Sequence, residues 1–327
     1  MTTESEILER LRGIATHPAA QGLADDVAVI GDLILTHDTI AEDVHYLPED
    51  PPESVGWKLV TVNLSDLAGK GAEPLAALLS LTLTGDDEWE FRFLGGVEAA
   101  CESYDLPLVG GDTIALTEGA PRVLGMTAIG RAAGNIPRRS DGLPGDFLWL
   151  AGTVGDSAAG LALLRNDAKA HGLLVDVYRR PIPLLDAGQR LAPHAHAMMD
   201  VSDGLLLDAR RLGQASNCSV HIDLDSLPLS RAFIAERGND LDARLFAATG
   251  GDDYSLLVAL PADFDPALSL SLPRGPSLTR IGSLAAPGSP LSLVSGGRTV
   301  ALPEKLGFEH AGYIDRNSDA APVADRP

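Results

Sequence analysis

Aspartate is gathered in this chain into six short segments, several of them beside glycine or serine. The segments lie at residues 25–26, 38, 63–66, 110–113, 200–204 and 250–253. Carboxylates without Lys or Arg nearby repel one another, so a fold that brings them together requires hard cations such as Mg²⁺. Because Mg²⁺ typically joins one or two protein carboxylates to substrate phosphates, the pattern favours a nucleotide enzyme.

The length and charge of the chain narrow the class of protein. A chain of 327 residues, 45% of them hydrophobic, has enough apolar material for two domains. Its formal charge of −21 argues against a nucleic-acid surface, which draws its affinity from Lys and Arg. The alternative meaning of the acidity is a well-solvated surface, so only the clustered aspartates bear on chemistry.

Two cysteines and the N-terminal segment indicate the compartment. Cys101 and Cys218 lie far apart in apolar or helical stretches, which argues against disulfides and against a cysteine-rich zinc site. Residues 1–13 have the pattern of an amphipathic helix and lack the apolar core of a signal peptide. With no run long enough to cross a bilayer, we expect a cytoplasmic protein with no membrane partner.

Apolar periodicity predicts a mixed α/β chain in two parts. In the first part, strands are predicted at 32–36, 76–83 and 122–129, and helices at 54–69 and 89–104. In the second, strands are predicted at 147–151, 198–201, 219–224 and 254–260, and helices at 157–164, 184–191, 205–215 and near Phe233. Residues 132–145 contain Gly, Pro and Arg with little apolar periodicity, as is typical of a connection between domains, which predicts domains at 1–135 and 136–315. The low apolar content of residues 316–327 predicts a disordered tail.

One predicted helix carries a polar stripe. Asn63, Asp66 and Lys70 are spaced i, i+3 and i+7, so they share a face if the helix extends that far. Such a stripe is more often a solvated face than a site. The other aspartate segments favour the site.

Asp112 follows two glycines after the apolar run 106–109, which predicts a carboxylate at the end of a strand. Ligands of α/β sheets bind at strand ends. A Gly-Gly-Asp turn that closes a hairpin is an equally good interpretation.

The segment 200–204 combines two carboxylates with a hydroxyl. In an extended backbone Asp200 and Ser202 point to the same side, while Asp203 begins a turn through Gly204. These groups can share a cation. A helix N-cap by Ser202 or Asp203 is the structural alternative, and both can hold together.

Common phosphate-binding designs are absent from the sequence. It contains no Gly-x-x-x-x-Gly-Lys-Ser/Thr loop, no protein-kinase motif set and no Gly-x-Ser-x-Gly elbow. Phosphate would then be held through metal, with residues 152–157 as a weak candidate anion nest. Arg139 is either a phosphate ligand or an exposed linker arginine, and His45 either a ligand contact or a packed histidine.

Taken in order, these motifs resemble one known family. They are Asp25-Asp26, Thr36-His37-Asp38, Glu42-Asp43-Val44-His45, residues 63–68 (NLSDLA), residues 110–113 (GGDT), residues 152–160 (GTVGDSAAG), residues 199–205 (MDVSDGL) and residues 250–254 (GGDDY). The chain resembles the thiamine-monophosphate kinase family over about residues 24–313. Aminoimidazole ribonucleotide synthetase and selenophosphate synthetase belong to the same superfamily.

The resemblance implies direct, Mg²⁺-assisted phosphoryl transfer from ATP to thiamine monophosphate by a homodimer. It also implies an aminoimidazole ribonucleotide synthetase-like fold, in which two α/β domains with mixed sheets enclose the site. The implied catalytic residues are Asp26, Asp66, Asp112 and Asp203. The implied ligands of several Mg²⁺ ions are Asp26, Thr36, Asp38, Asp66, Asp112, Asp200 and Asp203. The implied ATP contacts are Tyr104, Gly111, Asp112, Arg139 and Ser202, and the implied thiamine contacts are His45, Asp252 and Phe308.

Three residues depart from the family pattern. His37 replaces a small hydroxyl residue, Asp43 a glycine, and Asp252 a glutamate whose reach is one methylene longer. Two other functions stay open at this stage. One is a related ATP-dependent enzyme with a different acceptor, and the other is a non-catalytic metal-binding module.

Overall fold

The computed structural model describes residues 4–132, 134–266 and 277–309, without the side chains of residues 4 and 5. The predicted tail at 316–327 and the end of the predicted second domain lie outside the described residues. No helix in the described part of the chain has the length and apolar character that a bilayer crossing requires.

The first half forms a five-stranded sheet in the order β1-β2-β5-β3-β4. Its strands are β1 (Ala28–Ile30), β2 (Leu33–Ala41), β3 (Glu73–Leu83), β4 (Leu108–Ala115) and β5 (Val123–Arg131). Strand β4 pairs parallel with β3, and the other pairs are antiparallel. The helices are α1 (Glu4–Arg12), α2 (Pro52–Ala68) and α3 (Asp87–Ser103), with a 3-10 helix at Pro18–Leu23. Side chains of α2, α3 and β5, including Leu59, Phe93 and Met126, pack in one core.

The second half forms a seven-stranded sheet in the order β12-β11-β8-β10-β6-β9-β7, in which β11 and β8 are parallel. Its strands are β6 (Phe147–Ala151), β7 (Ala197–Val201), β8 (Ser219–Asp223), β9 (Ser255–Leu260), β10 (Leu278–Ala285), β11 (Leu291–Ser295) and β12 (Arg298–Val300). Its helices are α4 (Asp156–Asn166), α5 (Leu173–Arg179), α6 (Leu185–Leu191), α7 (Leu205–Ala215), α8 (Arg231–Arg237) and α9 (Leu241–Thr249), with 3-10 helices at Arg139–Asp141 and Leu224–Ser226.

Two mixed sheets packed by helices confirm the predicted α/β class. The predicted strand 147–151 and helix 205–215 match β6 and α7 at both ends. The pattern missed α5, α9 and the strands β10 to β12. These elements are short or only partly buried, which weakens the periodic signal that sequence analysis depends on.

Helix α2 is buried along most of its length, so its predicted polar stripe is not a solvated face. Asn63, Asp66 and Lys70 are all buried. The helix ends at Ala68, with Gly69 as its C-cap, so Lys70 lies beyond the helix and the prediction of one shared helical face is wrong for it.

The predicted position of Asp112 at a strand end is also wrong. Strand β4 continues through the two glycines to Ala115, and Asp112 lies opposite Ser80 of β3. The strand can continue because Gly111, at φ 153°, lies where a Cβ atom would overlap the carbonyl oxygen of Leu79.

Helices α2 and α3 cross at a glycine contact that yields a stability prediction. A Cβ atom on Gly96 would overlap the carbonyl oxygen of Glu53, whereas Gly95 faces open space. Gly96→Ala is therefore expected to lower the free energy of unfolding by about 1–3 kcal/mol. Gly95→Ala should raise it by up to ~1 kcal/mol, because alanine favours the helix. Urea denaturation checks both, and equal effects of the two substitutions would contradict the packing described.

Candidate active site

Three carboxylates from distant parts of the chain meet between the two sheets. Asp26 precedes β1, Asp66 lies in α2 and Asp200 lies in β7. One oxygen of each lies within 4.8 Å of an oxygen of the others. The acidic cluster, as we call Asp26, Asp66 and Asp200, thus draws on both halves of the molecule.

Helix α2 is fixed to strand β2 beside the acidic cluster. The Thr36 hydroxyl donates a hydrogen bond to the Asp66 carboxylate. The backbone N–H of Asp38 donates to Oδ1 of Asn63 at 3.0 Å. These two contacts bring the side chains of β2 and α2 to the same place.

The aspartate segments 63–66 and 200–203 contact each other. The Ser65 hydroxyl donates to Oδ2 of Asp200 at 2.6 Å. Beyond the end of α2, Nζ of Lys70 donates to the Met198 carbonyl at 2.9 Å. Helix α2 therefore carries groups of the first half directly onto β7 of the second.

Lys and Arg side chains also lie in this region. The expectation that the carboxylates gather without Lys or Arg nearby is therefore wrong for the folded protein. Lys70 Nζ lies 2.6 Å from Oδ1 of Asp25 and 3.7 Å from Oδ2 of Asp26. Arg139 forms an ion pair with Asp26, and Arg211 pairs with Asp203. Lys70 and Arg139 lie far in sequence from the Asp25–Asp26 segment that they contact, so the sequence could not show these pairs. Arg211 lies in α7, eight residues after Asp203.

Burial and neighbouring carboxylates raise the pKa values of Asp38, Asp66 and Asp200. Burial, followed by the charges of Asp38, Asp200 and Asp26, raises the pKa of Asp66 well above its usual value. Burial and Asp26 raise the pKa of Asp200 to about 8, and burial with Asp26 and Asp203 raises the pKa of Asp38 to about 6. These shifts come first from burial and second from the closeness of other carboxylates.

Asp26 differs from its neighbours. Burial raises the pKa of Asp26, but the charges of Arg139, Lys70 and Arg211 more than offset this, and its pKa lies below the usual value. Its buried Oδ2 has no hydrogen-bond donor. A buried, ionised and partly unsatisfied oxygen beside two further carboxylates is a donor set that suits a hard cation such as Mg²⁺.

A cavity of about 380 Å³ includes six of the predicted site residues in its wall. These are Asp38, His45, Ser202, Asp203, Asp252 and Phe308. One of them, Asp38, lies near enough to the acidic cluster to interact electrostatically with Asp26 and Asp66. The six residues come from both halves of the chain, as a site in the cleft between domains requires.

The turn that carries Ser202 and Asp203 is held by a residue that sequence reasoning missed. Asp208 Oδ2 accepts the backbone N–H groups of Ser202 at 3.1 Å and Asp203 at 3.0 Å. Burial and Asp203 raise the pKa of Asp208 to about 7. The N-cap of α7 is Gly204 without a side-chain cap, so the predicted capping by Ser202 or Asp203 is wrong.

His45 and Phe308 enter the cavity wall through backbone-anchored loops. His45 follows β2, and its Nδ1 accepts the Ala41 N–H at 3.0 Å, which leaves the ring proton on Nε2. The backbone N–H of Phe308 donates to the Asp203 carbonyl at 2.8 Å. The Phe308 ring is 43% exposed and can offer a face to a flat ligand.

Asp252 lies in a hydrogen-bonded network. It forms an ion pair with Lys58 of α2, and its Oδ2 accepts the Ser157 hydroxyl at 3.0 Å. Its Oδ1 accepts the Tyr254 hydroxyl at 2.8 Å. Sequence reasoning missed Lys58 because it lies far from Asp252 in the chain and inside a helix.

Eight predicted residues lie outside the cavity wall. Five of them belong to the acidic cluster or contact it, namely Asp26, Asp66, Asp200, Thr36 and Arg139. The other three lie elsewhere. Gly111 and Asp112 are exposed on β4. Tyr104 ends α3 and packs edge-on against Trp57, with ring centroids 5.8 Å apart.

One backbone donor of the predicted anion-binding segment 152–157 already has a partner within the protein. The Gly155 N–H donates to the Asp253 carboxylate at 2.9 Å.

Comparisons with known proteins show similarity over nearly the whole chain. Residues 24–132 match the AIR synthase related protein, N-terminal domain, and residues 144–287 match the C-terminal domain of the same description. The chain is 36% identical over 306 residues to thiamine-monophosphate kinase of Salmonella typhimurium, covering 88% of this chain and 91% of the relative.

Solved structures are also similar to this chain over nearly its whole length. A structure of AaThiL complexed with AMPPCP and TMP is 30% identical, with a TM-score of 0.80 and coverage of 94% of this chain and 97% of that one. The crystal structure of thiamine-monophosphate kinase from Stenotrophomonas maltophilia is 36% identical, with a TM-score of 0.72 and coverage of 90% and 96%.

The raised pKa values predict how the stability of the metal-free protein depends on pH. Since the pKa values of Asp38 and Asp200 rise to about 6 and about 8 on folding, these two groups bind more protons in the folded protein than in the unfolded chain between about pH 4 and pH 8. The free energy of unfolding in EDTA should therefore fall as pH rises through 6 and 8.

Asp200→Asn should flatten this fall between pH 6 and 8, as measured by urea denaturation. Glu304→Gln, which removes the same charge from the exposed surface, should leave the slope unchanged. An Asp200→Asn slope equal to that of the parent protein would contradict the electrostatics described.

Proposed function

The chain belongs to the thiamine-monophosphate kinases of the AIR synthase related protein family, and from this premise we infer that it phosphorylates thiamine monophosphate with ATP. The γ-phosphate of ATP moves to a phosphate oxygen of the acceptor, and the products are ADP and thiamine diphosphate. The structural observation that supports this function is the acidic cluster, assembled from both halves beside the 380 Å³ cavity.

The charge of the two substrates explains why carboxylates suit this reaction. The acceptor phosphate and the γ-phosphate of ATP are both anionic, so their approach requires positive charge between them. Mg²⁺ ions held by carboxylates supply that charge and the alignment of the phosphates. Because the acceptor oxygen is largely ionised at neutral pH, the reaction requires no strong general base.

We propose that several Mg²⁺ ions bind at the acidic cluster and the residues around it. The proposed ligands are Asp26, Thr36, Asp38, Asp66, Asp112, Asp200 and Asp203. The unsatisfied Oδ2 of Asp26 and the raised pKa values of Asp66 and Asp200 support the acidic cluster as the centre of this site. Thr36 is hydrogen-bonded to Asp66, and burial with the charges of Asp26 and Asp203 raises the pKa of Asp38. These interactions support Thr36, Asp38 and Asp203 as further ligands. The role of Asp112, exposed on β4, rests on the family resemblance alone.

We propose that the acceptor and ATP contact different groups in and around the cavity. We propose that His45, Asp252 and Phe308 contact the thiamine end, where the exposed Phe308 ring offers a stacking face. For ATP, we propose Ser202 and Arg139, with Arg139 exchanging its Asp26 partner for phosphate. Tyr104, Gly111 and Asp112 join the ATP contacts by resemblance.

ATP as co-substrate favours the cytoplasm, and the free thiols of Cys101 and Cys218 are consistent with a reducing compartment.

The activity is tested by incubating the protein with ATP, MgCl₂ and thiamine monophosphate and separating the thiamine phosphates by chromatography. Thiamine diphosphate should form in the parent protein. Asp66→Asn and Asp203→Asn should each lower kcat/KM by roughly 100-fold or more, because each removes a proposed ligand charge. Glu304→Gln serves as the active control.

ATP consumption with a different acceptor, and none with thiamine monophosphate, would indicate a related enzyme of other specificity. Absence of ATP turnover under any condition would indicate a non-catalytic protein. Near-parental activity of both Asp variants at limiting Mg²⁺ would contradict the assigned ligands.

We also propose that the protein is a homodimer joined through the first sheet. Strand β4 is at the edge of that sheet, and its Leu108, Val109 and Ile114 are 47%, 62% and 52% exposed. An apolar edge strand of this kind is a pairing surface. A groove that includes Phe91, Leu94 and Leu108 continues the apolar surface beside it.

Sedimentation equilibrium tests the dimer. The parent protein should have twice the 34.2 kDa mass of the chain. Val109→Asp should shift it to the monomer by burying a charge at the interface, whereas Leu302→Asp, at an exposed apolar position of the second half, should stay dimeric. A monomeric parent protein, or a Val109→Asp dimer of unchanged affinity, would overturn the interface.

A further inference from the structure

Lys58 is a lysine inside helix α2 with only 2% of its side chain exposed. Lysine is almost never buried to this extent without a partner, because removing an ammonium group from water is costly. We propose that Lys58 is the positioning residue of the acceptor side of the cavity. This inference rests on the proposed function and extends it to a residue that lies behind the cavity wall.

The Lys58 ammonium group contacts three elements that bear cavity-lining residues. It forms an ion pair with Asp252 in the turn before β9. It donates to the backbone carbonyl of His45 at 3.1 Å, in the loop after β2. It lies 4.2 Å from the ring centroid of Tyr178 in α5. His45, Tyr178 and Asp252 all line the cavity, so one cation fixes three parts of its wall.

The backbone and the side chain of Asp252 are both held in place. Its backbone has a φ of 71°, which is uncommon outside glycine. Its N–H donates to the Ser202 carbonyl at 2.6 Å, and its carboxylate accepts two hydroxyl groups, those of Ser157 and Tyr254. The hydroxyl donors orient the carboxylate, and Lys58 adds a charge-assisted contact to it.

Lys58 also joins the two halves at the acceptor side. It belongs to the first half, whereas Asp252 and Tyr178 belong to the second. Removing the ammonium group leaves the Asp252 carboxylate without its cation, and a carboxylate in that position turns toward water. The His45 carbonyl loses its donor in the same step. Replacing Lys58 should therefore weaken the contacts of His45 and Asp252 with the acceptor together. The hydrogen bond from the Asp252 N–H to the Ser202 carbonyl, on the ATP side, joins backbone atoms and should remain.

Lys58→Met tests the proposal, since methionine retains the unbranched shape and removes the charge. The KM for thiamine monophosphate should rise about tenfold or more, and the KM for ATP should stay within about twofold. Calorimetric titration with thiamine monophosphate should show the same loss of affinity. Lys58→Arg, which keeps the charge, should recover part of it.

A double variant separates positioning from folding. Lys58→Met/Asp252→Asn removes both charges, so its stability to urea should exceed that of Lys58→Met alone. Its affinity for thiamine monophosphate should stay low, because the oriented carboxylate is gone. If the double variant regained acceptor affinity along with stability, Lys58 would be a structural residue and the proposal would be overturned.

Arg179→Met is the matched control. Arg179 Nε lies 2.7 Å from Oδ1 of Asp50, in another ion pair between the two halves that does not include Asp252. This variant should change the KM for thiamine monophosphate by less than about threefold. An equal rise in Arg179→Met and Lys58→Met, or an equal rise in both KM values, would overturn the role of Lys58. A parent protein that does not bind thiamine monophosphate would instead overturn the proposed function.

Discussion

Repulsion among buried carboxylates is the constraint on which this structure depends. Asp66 and Asp200 lie within one small region with Asp26, and the pKa values of the first two are raised by burial and by the neighbouring charges. Lys70 and Arg139 neutralise part of this negative charge, because both form ion pairs with Asp26. The neutralisation is incomplete, so carboxylate oxygens remain that can bind Mg²⁺. Bound Mg²⁺ can in turn bind the substrate phosphates.

Helix α2 organises the site because it is buried between the two halves of the molecule. Its successive turns present different groups to different elements, so one rigid rod sets their mutual positions. These groups are Lys58 toward the turn before β9, Asn63 and Asp66 toward β2, and Ser65 toward Asp200 of β7. A helix fits this task better than a loop, since its backbone hydrogen bonds are satisfied within it and its side chains are free to bind.

Sequence reasoning could predict what is local in the chain. Strand β6 and helix α7 follow from apolar periodicity, and the aspartate segments could be recognised as chemically active without coordinates. The pairing of Lys58 with Asp252 could not, because it joins residues far apart in sequence. Asp112 was misplaced for a different reason: Gly-Gly normally signals a turn, but here Gly111 permits the close approach of β3 and the strand continues. Such contacts depend on tertiary packing, which local sequence patterns do not predict.

The most direct test of the magnesium site is a crystal structure of the protein with AMPPCP, thiamine monophosphate and Mn²⁺ in place of Mg²⁺. The anomalous signal of Mn²⁺ locates the metal independently of the surrounding protein atoms. Our account predicts anomalous peaks within coordinating distance of Asp26, Asp66 and Asp200, between the phosphates of the two substrates. Bound substrates with no peak at these carboxylates, or with all peaks elsewhere on the protein, would contradict it.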